Sequence, residues 1–397
     1  MKHLDAFSFQ NKRFLIRVDY NVPMDSDLNI VDDTRIRVTL PTINKIIDSG
    51  GIVVLMSHRG RPNGKDNSLS MRHLIRCLSD LLSKPVKFID QCVGNRVVEQ
   101  SKSLKSGEIL LIENLRFHNE EITGDLNFAK QLSMLGDVYV NDAFGTAHRA
   151  HASTSIIAQF FNHTNKCFGY VMANEIENID KVFANTKKPF TAIIGGAKVS
   201  SKITVIKRML NEVDNLIIGG GMTYTFVKAM KGKVGNSLVE EDKLDLALQI
   251  IELAKLKGVR LCIPTDSLNA DSFDNEANKK YSLADNVPDG FMGLDIGNNT
   301  VKQFTEVIEQ SSTVLWNGPM GVFEMENFSK GTKAIANSLV NATKKGAFTL
   351  VGGGDSVAAI NKYNLYDKVS YVSTGGGAML EYLEGKDLPG IAAILQD

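Results

Sequence analysis

Short apolar runs recur along the chain and are separated by segments in which apolar residues have helical spacing. Seven of these runs occupy residues 52–56, 109–112, 138–140, 192–194, 216–218, 314–316 and 348–351. Most are continuously apolar rather than alternating, which is typical of parallel strands covered on both faces by helices. Because both halves of the chain repeat the pattern, it predicts an α/β fold with doubly wound, Rossmann-like parallel sheets.

The length of the chain favours two domains, since 397 residues exceed what one hydrophobic core usually serves. A candidate junction lies near residues 170–188, where Met172, Ile176, Ile179 and Phe183 have helical spacing. Periodicity alone is equally compatible with a surface helix inside one domain. A change of chemistry across the segment favours a boundary, so we expect domains at 1–172 and 189–379, joined by a helix at 173–188, with a cleft between them.

Composition excludes several classes of protein. Lysine plus arginine number 45 and aspartate plus glutamate also number 45, so no net charge attracts nucleic acid or an anionic membrane. The chain starts without the apolar core of a signal peptide and has no bilayer-spanning apolar stretch, which predicts a cytoplasmic protein. The four cysteines have no metal-binding or redox spacing, and we expect buried thiols.

The strand ends of the first half carry basic and hydrogen-bonding residues, and ligands of α/β sheets bind beyond these ends. Four arginines stand out, and three histidines and a polar pair accompany them: Arg35, Arg61, Arg116, Arg149, His58, His148, His151, Asp19 and Asn21. Guanidinium groups match carboxylate and phosphate oxygens, so the pattern predicts a pocket for a small, multiply charged anion. Alternatively, Asp19 and Asn21 are turn formers before Pro23, and His148 is a satisfied core histidine.

The strand ends of the second half carry glycine instead. Five glycine-rich segments follow apolar runs, at 193–198, 217–221, 316–321, 351–356 and 373–377. Without a Cβ, backbone N–H groups can approach phosphate oxygens closely, so the segments predict a nucleotide pocket. Lys198 and Lys202 could contact phosphates there, and Asp355 could hold Mg²⁺ or could simply be a helix N-cap. The chain lacks the P-loop, GxGxxG and protein-kinase motifs.

These motifs, in wording and order, resemble the phosphoglycerate kinase family over essentially the whole chain. The segments that carry the resemblance are RVDYNVP, DDTRIR, SHRGRP, ENLRFH, NDAFGTAHRAHAS, GGAKVSSKI, GGGMTYTF, GLDIG, WNGPMGVFE, VGGGDS, STGGGAMLE and LPGIAAILQD. The chain departs from the commonest family pattern at Tyr20, Ser201, Asn298 and Ser356, none of which removes a proposed catalytic charge. Tyr20, where Phe is commoner in the family, adds a hydroxyl that must find a hydrogen-bond partner or water.

The resemblance implies roles for individual residues. It implies that phosphoglycerate is held by Asp19, Asn21, Arg35, His58, Arg61, Arg116 and Arg149. It implies that the nucleotide is held by Lys198, Lys202, Gly219, Gly220, Gly293, Leu294, Asn317, Glu324, Gly353, Gly354, Asp355 and Ser356, with Asp355 on Mg²⁺. It implies catalytic roles for Arg35, Lys198, Gly353 and Gly376. It also implies a monomer whose C-terminal segment, about 380–397, packs back on the first domain.

The implied reaction is 1,3-bisphosphoglycerate plus ADP giving 3-phosphoglycerate plus ATP, with Mg²⁺. The attacking oxygen is already ionised in either direction, so the reaction needs no general base. We expect in-line transfer after domain closure, with the 170–188 helix and the STGGG segment as the hinge. The alternatives are an NAD-dependent dehydrogenase, which would need the missing GxGxxG fingerprint, and a catalytically inactive nucleotide-binding protein on the same fold.

Overall fold

The computed structural model describes residues 3–183 and 186–396. The chain divides into two compact units. The first contains the residues up to Glu177 together with those from Lys386 onward, and the second contains Asn178–Gly385. No described helix is both long enough and apolar enough to cross a membrane.

The first unit is built around a six-stranded parallel sheet with the strand order β3-β4-β2-β1-β5-β6. Its strands are β1 (Arg13–Val18), β2 (Ile52–Met56), β3 (Val86–Ile89), β4 (Ile109–Ile112), β5 (Val138–Asp142) and β6 (Lys166–Phe168). Strands β1, β2, β4 and β5 are almost entirely buried, as their apolar runs predicted. One core cluster combines Phe14 and Val53 of the sheet with Ile43 and Ile46, which follow β1 along the chain.

Within residues 3–183, the α-helices are α1 (Thr34–Arg37), α2 (Leu40–Asp48), α3 (Ile75–Leu82), α4 (Asn95–Lys102), α5 (Asn119–Thr123), α6 (Leu126–Ser133) and α7 (Tyr170–Phe183). Helix α7 contains the apolar residues with helical spacing that marked the junction. Its last described residue is Phe183. Residues 184 and 185 lie outside the described part, and residues 186–189 are not helical. Our expectation of a helix that continues to residue 188 was therefore wrong.

The second unit contains a second six-stranded parallel sheet, with the order β10-β8-β7-β15-β16-β17. The remaining strands of the chain are β7 (Phe190–Ile194), β8 (Asn215–Ile218), β9 (Lys233–Val234), β10 (Arg260–Cys262), β11 (Asp266–Ala270), β12 (Lys279–Leu283), β13 (Asn286–Val287), β14 (Met292–Ile296), β15 (Thr313–Asn317), β16 (Phe348–Val351) and β17 (Tyr371–Val372). The two parallel sheets confirm the predicted fold class.

The remaining helices are α8 (Ile203–Met209), α9 (Thr223–Ala229), α10 (Leu244–Leu256), α11 (Asn298–Glu309), α12 (Lys330–Lys344), α13 (Gly354–Lys362), α14 (Gly377–Leu383) and α15 (Pro389–Leu395). Short 3₁₀ helices occur at Leu4–Ala6, Asn67–Leu69, Met71–Leu74, Leu115–Phe117, Phe144–Thr146, Ile156–Phe160, His163–Asn165, Glu241–Lys243, Glu326–Phe328 and Tyr366–Lys368. Helix α15 belongs to the first unit, where the Gly390 N–H donates to the Ala147 carbonyl at 2.8 Å.

The second unit also contains two small sheets that the sequence pattern did not predict. Strands β12, β11 and β14 form an antiparallel sheet, and β13 pairs with β9. Strand β12, with the sequence KKYSL, is mostly exposed, and β11, with the sequence DSLNA, is buried although largely polar. Neither strand has the apolar run on which the prediction relied.

Candidate functional site

The basic residues of the first unit lie at one edge of its sheet. Strands β2, β1 and β5 are parallel neighbours, with Arg17 beside Met56 and Val18 beside Asp142. Their carboxyl ends therefore lie side by side. The residues that follow these strands, among them Asp19 and His58, are brought to the same edge by the register of the sheet.

Asp19 accepts a hydrogen bond from a candidate arginine at this edge. The Arg35 guanidinium donates to Asp19 Oδ2 at 2.8 Å, and His58 Nδ1 is 4.0 Å from Asp19 Oδ1. Burial raises the pKa of Asp19, but neighbouring positive groups, Arg35 and Arg17 among them, and a hydrogen bond from the Asn21 N–H outweigh burial, so the pKa lies below its ordinary value. Asp19 is therefore an anionic anchor that holds Arg35, and 40% of the Arg35 side chain stays exposed to solvent.

Arg116 and Asn21 both bind the backbone of Gly60, in the loop after β2. The Arg116 guanidinium donates to the Gly60 carbonyl at 2.6 Å, and the Gly60 N–H donates to Asn21 Oδ1 at 2.8 Å. Burial, together with the positive charges of Arg17 and Arg149, lowers the pKa of Arg116 to about 10. An arginine held among other cations, whose guanidinium forms no ion pair with a carboxylate in the described part of the chain, suits an anionic ligand.

The two other candidate arginines differ in their surroundings. Arg149 is half-buried, and its Nε donates to His148 Nε2 at 3.2 Å. Arg61 is exposed, and its side chain has no hydrogen bond or ion pair to another described residue. The structure thus brings Arg35, His58 and Arg116 together with Asp19 and Asn21, whereas the Arg61 side chain is not held by protein contacts.

Sequence reasoning missed a buried chain of polar groups beneath this pocket. Arg17 is 1% exposed, and its Nε donates to Ser153 Oγ at 2.7 Å. Ser153 Oγ in turn donates to Glu121 Oε1 at 2.6 Å, and the Ser153 N–H donates to Glu121 Oε2 at 2.9 Å. The available signal was an arginine inside the otherwise apolar run FLIRV, which is an expensive residue to bury without a function.

Two buried histidines of this edge are held neutral by their surroundings. Burial, reinforced by the charges of Arg17, Arg116 and Arg149, lowers the pKa of His151 to about 4. The pKa of His58 also lies well below its ordinary value, because burial and neighbouring arginines outweigh the attraction of Asp19. The positive charge of the pocket therefore belongs to guanidinium groups.

The second unit has a cavity of about 290 Å³ where its glycine-rich segments meet. Among the residues expected around a nucleotide, the cavity is lined by Gly220, Gly293, Leu294, Glu324 and Asp355. Its walls are otherwise largely apolar, with contributions from Leu238, Pro264, Phe273, Met292, Ile296, Met320 and Val322. Such a cavity, apolar with a few polar groups at its margin, suits the flat base of a nucleotide.

Close backbone approach explains why glycine is required in two neighbouring segments. A Cβ on Gly195 would lie 2.4 Å from the Gly318 carbonyl oxygen, and one on Gly318 would lie 2.1 Å from the Gly195 carbonyl oxygen. The Gly195 N–H also donates to the Asn317 carbonyl at 2.8 Å. The ends of β7 and β15 are therefore packed backbone against backbone, where any side chain would displace one of them.

Lys202 is tied to the loop after β16 through a neutral amide. Lys202 Nζ donates to Asn317 Oδ1 at 2.5 Å, and Asn317 Nδ2 donates to the Gly352 carbonyl at 2.9 Å. Burial lowers the pKa of Lys202, while Asp355 and Glu384 attract its positive charge. Lys198, in contrast, is exposed. One lysine is thus fixed beside the glycine loop, and the other is free to reach a ligand.

The residues at the start of α13 have distinct environments. Gly353 is the N-cap residue, so Asp355 lies in the first turn and is not the N-cap that we considered. Asp355 and Gly354 are exposed, whereas Ser356 is buried and its Oγ accepts from the Gly318 N–H at 2.6 Å. The hydroxyl of Ser356 is therefore already used to join the two glycine-rich loops.

The structure also tests two smaller expectations, on the Tyr20 hydroxyl and on the burial of the cysteines. Tyr20 is fully buried, and its hydroxyl is 2.9 Å from Thr39 Oγ1, which supplies the required partner. Cys92 and Cys167 are buried as expected, but Cys77 and Cys262 are only partly buried. Within residues 3–183 and 186–396, no three acidic, histidine or cysteine side chains form a group that could hold a metal ion by themselves.

Comparison with known proteins gives a consistent result. A family model described as phosphoglycerate kinase matches residues 4–386. The chain is 50% identical to the phosphoglycerate kinase of Porphyromonas gingivalis, with 98% of this chain and 99% of the relative covered. It is 51% identical to the cytosolic phosphoglycerate kinase 3 of Arabidopsis thaliana, with 98% and 97% covered. The solved structure of phosphoglycerate kinase from Coxiella burnetii is similar with a TM-score of 0.90, 40% identity and coverage of 99% of this chain and 98% of that one.

Proposed function

Since the chain belongs to the phosphoglycerate kinase family, we propose that it is a phosphotransferase that converts 1,3-bisphosphoglycerate and ADP reversibly into 3-phosphoglycerate and ATP. The observation that carries the proposal is the group of Arg35, His58 and Arg116 around Asp19 at one sheet edge of the first unit. A small acid that carries a carboxylate and a phosphate offers the oxygen acceptors that such a group requires.

The proposed acid site combines side chains that are fixed by hydrogen bonds with an exposed arginine that can move. Asp19 and Asn21 fix Arg35 and the Gly60 backbone, so these two residues orient the site. Arg35, Arg116 and Arg149 supply positive charge, and exposed Arg61 is free to close over the ligand. Arg35 is proposed to lie nearest the transferred phosphoryl group. A guanidinium there neutralises charge that grows on the equatorial oxygens in the transition state.

The proposed nucleotide site is the glycine-lined cavity of the second unit. Gly219, Gly220, Gly293 and Leu294 would border the base, and Glu324 would accept from the ribose hydroxyls. Phosphates would lie toward Lys198, Lys202 and Asn317 and toward the loop of Gly353, Gly354 and Ser356. The apolar walls and the exposed carboxylate of Glu324 at the cavity support this orientation.

A magnesium ion is compatible with the residues at the cavity. Asp355 lines it and is exposed, so its carboxylate can reach an ion carried by nucleotide phosphates. Mg²⁺ commonly takes one or two carboxylates, and phosphate and water oxygens complete its octahedron, so a single aspartate from the described residues is sufficient on the protein side. When bound, the ion would neutralise phosphate charge. The residues of this chain would contribute by aligning the two substrates for phosphoryl transfer.

The proposed reaction needs no proton transfer, because the attacking carboxylate or ADP oxygen is already ionised. Catalysis then consists of holding the two oxygens in line with the phosphorus and excluding water that would hydrolyse the acyl phosphate. We propose that closure of the two domains achieves both. The segments proposed as the hinge are α7 and residues 373–377, where Gly376 has a φ of 51° that disfavours other residues.

A coupled assay with ATP and 3-phosphoglycerate tests the proposal, and helix α1 supplies a matched pair of variants. Arg35 and Arg37 both donate to an aspartate at 2.8 Å, and both are partly exposed. Arg35→Ala should reduce kcat by about a hundredfold to a thousandfold, the loss typical of one transition-state donor. Arg37→Ala should leave kcat nearly unchanged. Equal activity in both variants would contradict the role of Arg35, and an inactive wild-type protein would favour a nucleotide-binding protein without catalysis.

The proposed function also implies which partners the protein binds and where it acts. All substrates are small molecules, and equal numbers of acidic and basic residues give no reason to expect nucleic-acid or membrane binding. We propose a monomer acting in the cytoplasm.

A further inference from the structure

Arg17 has three hydrogen-bonding groups, and each is in use inside the protein. Nε donates to Ser153 Oγ at 2.7 Å, Nη1 donates to the Val18 carbonyl, and Nη2 is 3.2 Å from His58 Nδ1. The residue is 1% exposed, and Ser153 is itself held by both carboxylate oxygens of the fully buried Glu121. Arg17 is therefore fixed from two sides, and its Nη2 group faces the His58 ring of the pocket.

The chemistry of guanidinium determines the state of the histidine ring. All five N–H groups of arginine are donors and none of its atoms accepts, so His58 Nδ1 must be the acceptor of this hydrogen bond. A ring nitrogen that accepts carries no proton. The neutral ring must then carry its single proton on Nε2. His58 Nε2 makes no hydrogen bond to another described residue, so its N–H is available to a ligand.

The charges around His58 favour the same state. Four charged groups act on the ring: Asp19, whose Oδ1 is 4.0 Å from Nδ1, and the three cations Arg17, Arg116 and Arg35. The His58 side chain is only 4% exposed. One carboxylate against three guanidinium groups in a buried setting does not sustain an imidazolium, and burial is the largest cause of the lowered pKa.

We propose that Arg17 is a positioning residue that fixes His58 as a neutral ring with its proton on Nε2, so that the histidine binds the substrate as an uncharged donor. This inference rests on the proposed function for the identity of the substrate. The assignment of the tautomer concerns the protein without ligand. Ser153 and Glu121 support the arrangement by holding the guanidinium in place.

Nuclear magnetic resonance of protein labelled with ¹⁵N at histidine tests the proposal in the ligand-free chain. Long-range proton–nitrogen correlations distinguish a protonated Nε2 from a protonated Nδ1, and His58→Gln identifies the His58 signals among the 7 histidines. The expected result is the Nε2–H tautomer, with no titration near the ordinary histidine pKa. A proton on Nδ1, or an ordinary histidine titration, would overturn the proposal.

Arg17→Met removes the donor and leaves Asp19 as the nearest charge, so the His58 ring should accept a second proton and titrate roughly one to three pH units higher. Arg17→Lys keeps a cation that can only donate, and it should restore the wild-type tautomer. The control is Arg13→Met on the same strand, since the Arg13 guanidinium pairs with Asp137 at 2.6 Å and does not contact His58. An unchanged His58 titration in Arg17→Met would overturn the role of Arg17.

If Arg17→Met does not fold, Ser153→Ala provides the second variant. It removes the Arg17 Nε partner and keeps the guanidinium, so the His58 titration should move upward by less than one pH unit; no shift would overturn the proposal. The measurement is independent of catalysis. A protein without kinase activity that has the expected tautomer would contradict the proposed function alone, and an active enzyme with Nδ1 protonated would contradict this inference alone.

Discussion

Asp142 is a buried carboxyl group whose ionisation should oppose folding of the first unit. It is the last residue of β5 and is 1% exposed. Oδ1 accepts from the N–H groups of Val171 at 2.8 Å and Met172 at 3.2 Å. Burial raises the pKa of Asp142 from 3.8 to about 7, more than the hydrogen bonds from the Thr42 side chain and from the Met172 and Val171 N–H groups lower it.

The sign of the effect follows from comparing the folded and unfolded chains. The folded state has the higher pKa, so it binds the proton more tightly, and this contribution to stability is complete below the unfolded pKa. The contribution is lost as the pH rises toward the folded pKa. A rise of roughly three units in the pKa of Asp142 corresponds to a contribution of about 4 kcal/mol at most to the free energy of unfolding. Roughly 3 kcal/mol of this contribution is lost between pH 5 and pH 8. Asp142→Asn cannot ionise, so this loss should be absent from the variant.

Hydrogen exchange followed by mass spectrometry measures the effect in the first unit alone. Protection of the β1 and β5 amides, corrected for intrinsic exchange, should decline from pH 5 to pH 8 more steeply in the wild type than in Asp142→Asn. The single tryptophan, Trp316, is buried in the second unit, so its fluorescence during unfolding should respond equally in both proteins. The fluorescence serves as an internal control.

A second aspartate near the same strand has the opposite behaviour and gives the control variant. Burial raises the pKa of Asp137, but hydrogen bonds from Arg13 outweigh burial, so the net pKa is lowered. Asp137 therefore contributes stability above its unfolded pKa, and this is lost as the pH falls. Asp137→Asn should weaken protection near neutral pH. If protection in the wild type and in Asp142→Asn had the same pH dependence, the assignment of a raised pKa to Asp142 would be refuted.

Two further predictions concern the second unit. Asn317→Ala should raise the KM for ATP about tenfold without changing the KM for 3-phosphoglycerate, because Lys202 and the Gly352 carbonyl each lose a hydrogen-bond partner. Steady-state kinetics measure both KM values. The control is Asn341→Ala, which removes another asparagine whose side chain donates a hydrogen bond. Gly376→Ala places a side chain at a φ of 51° and should lower kcat more than it raises either KM, and an unchanged kcat would remove Gly376 from the proposed hinge.

The sequence predicted the parallel sheets well because buried parallel strands leave a continuous apolar signal. The runs at 52–56, 109–112 and 348–351 coincide with β2, β4 and β16 residue for residue. Where burial is produced differently, the signal fails. Strand β11 is buried although it contains Asp266, Ser267 and Asn269, whose side chains are hydrogen-bonded within the fold, and periodicity cannot reveal such partners.

The candidate site was predicted in the same uneven way. Residues that follow a strand are recognisable from position, so Asp19, His58 and Arg116 were found. Two residues that act from inside an element were missed: Arg17 lies within a strand and Glu121 within a short helix. Their importance depends on contacts between residues 136 and 32 positions apart in the sequence, which no local pattern encodes.

The division of charge in the first unit has a consequence for binding over a range of pH. Imidazole groups would change the charge of an anion site near neutral pH, whereas guanidinium groups keep theirs. Here burial and neighbouring arginines keep His58 and His151 neutral, with the pKa of His151 near 4. The positive charge then comes from Arg35, Arg116 and Arg149, and it stays constant where histidines ordinarily titrate. An acid held by such a site would therefore experience no change of charge from His58 or His151 in that range.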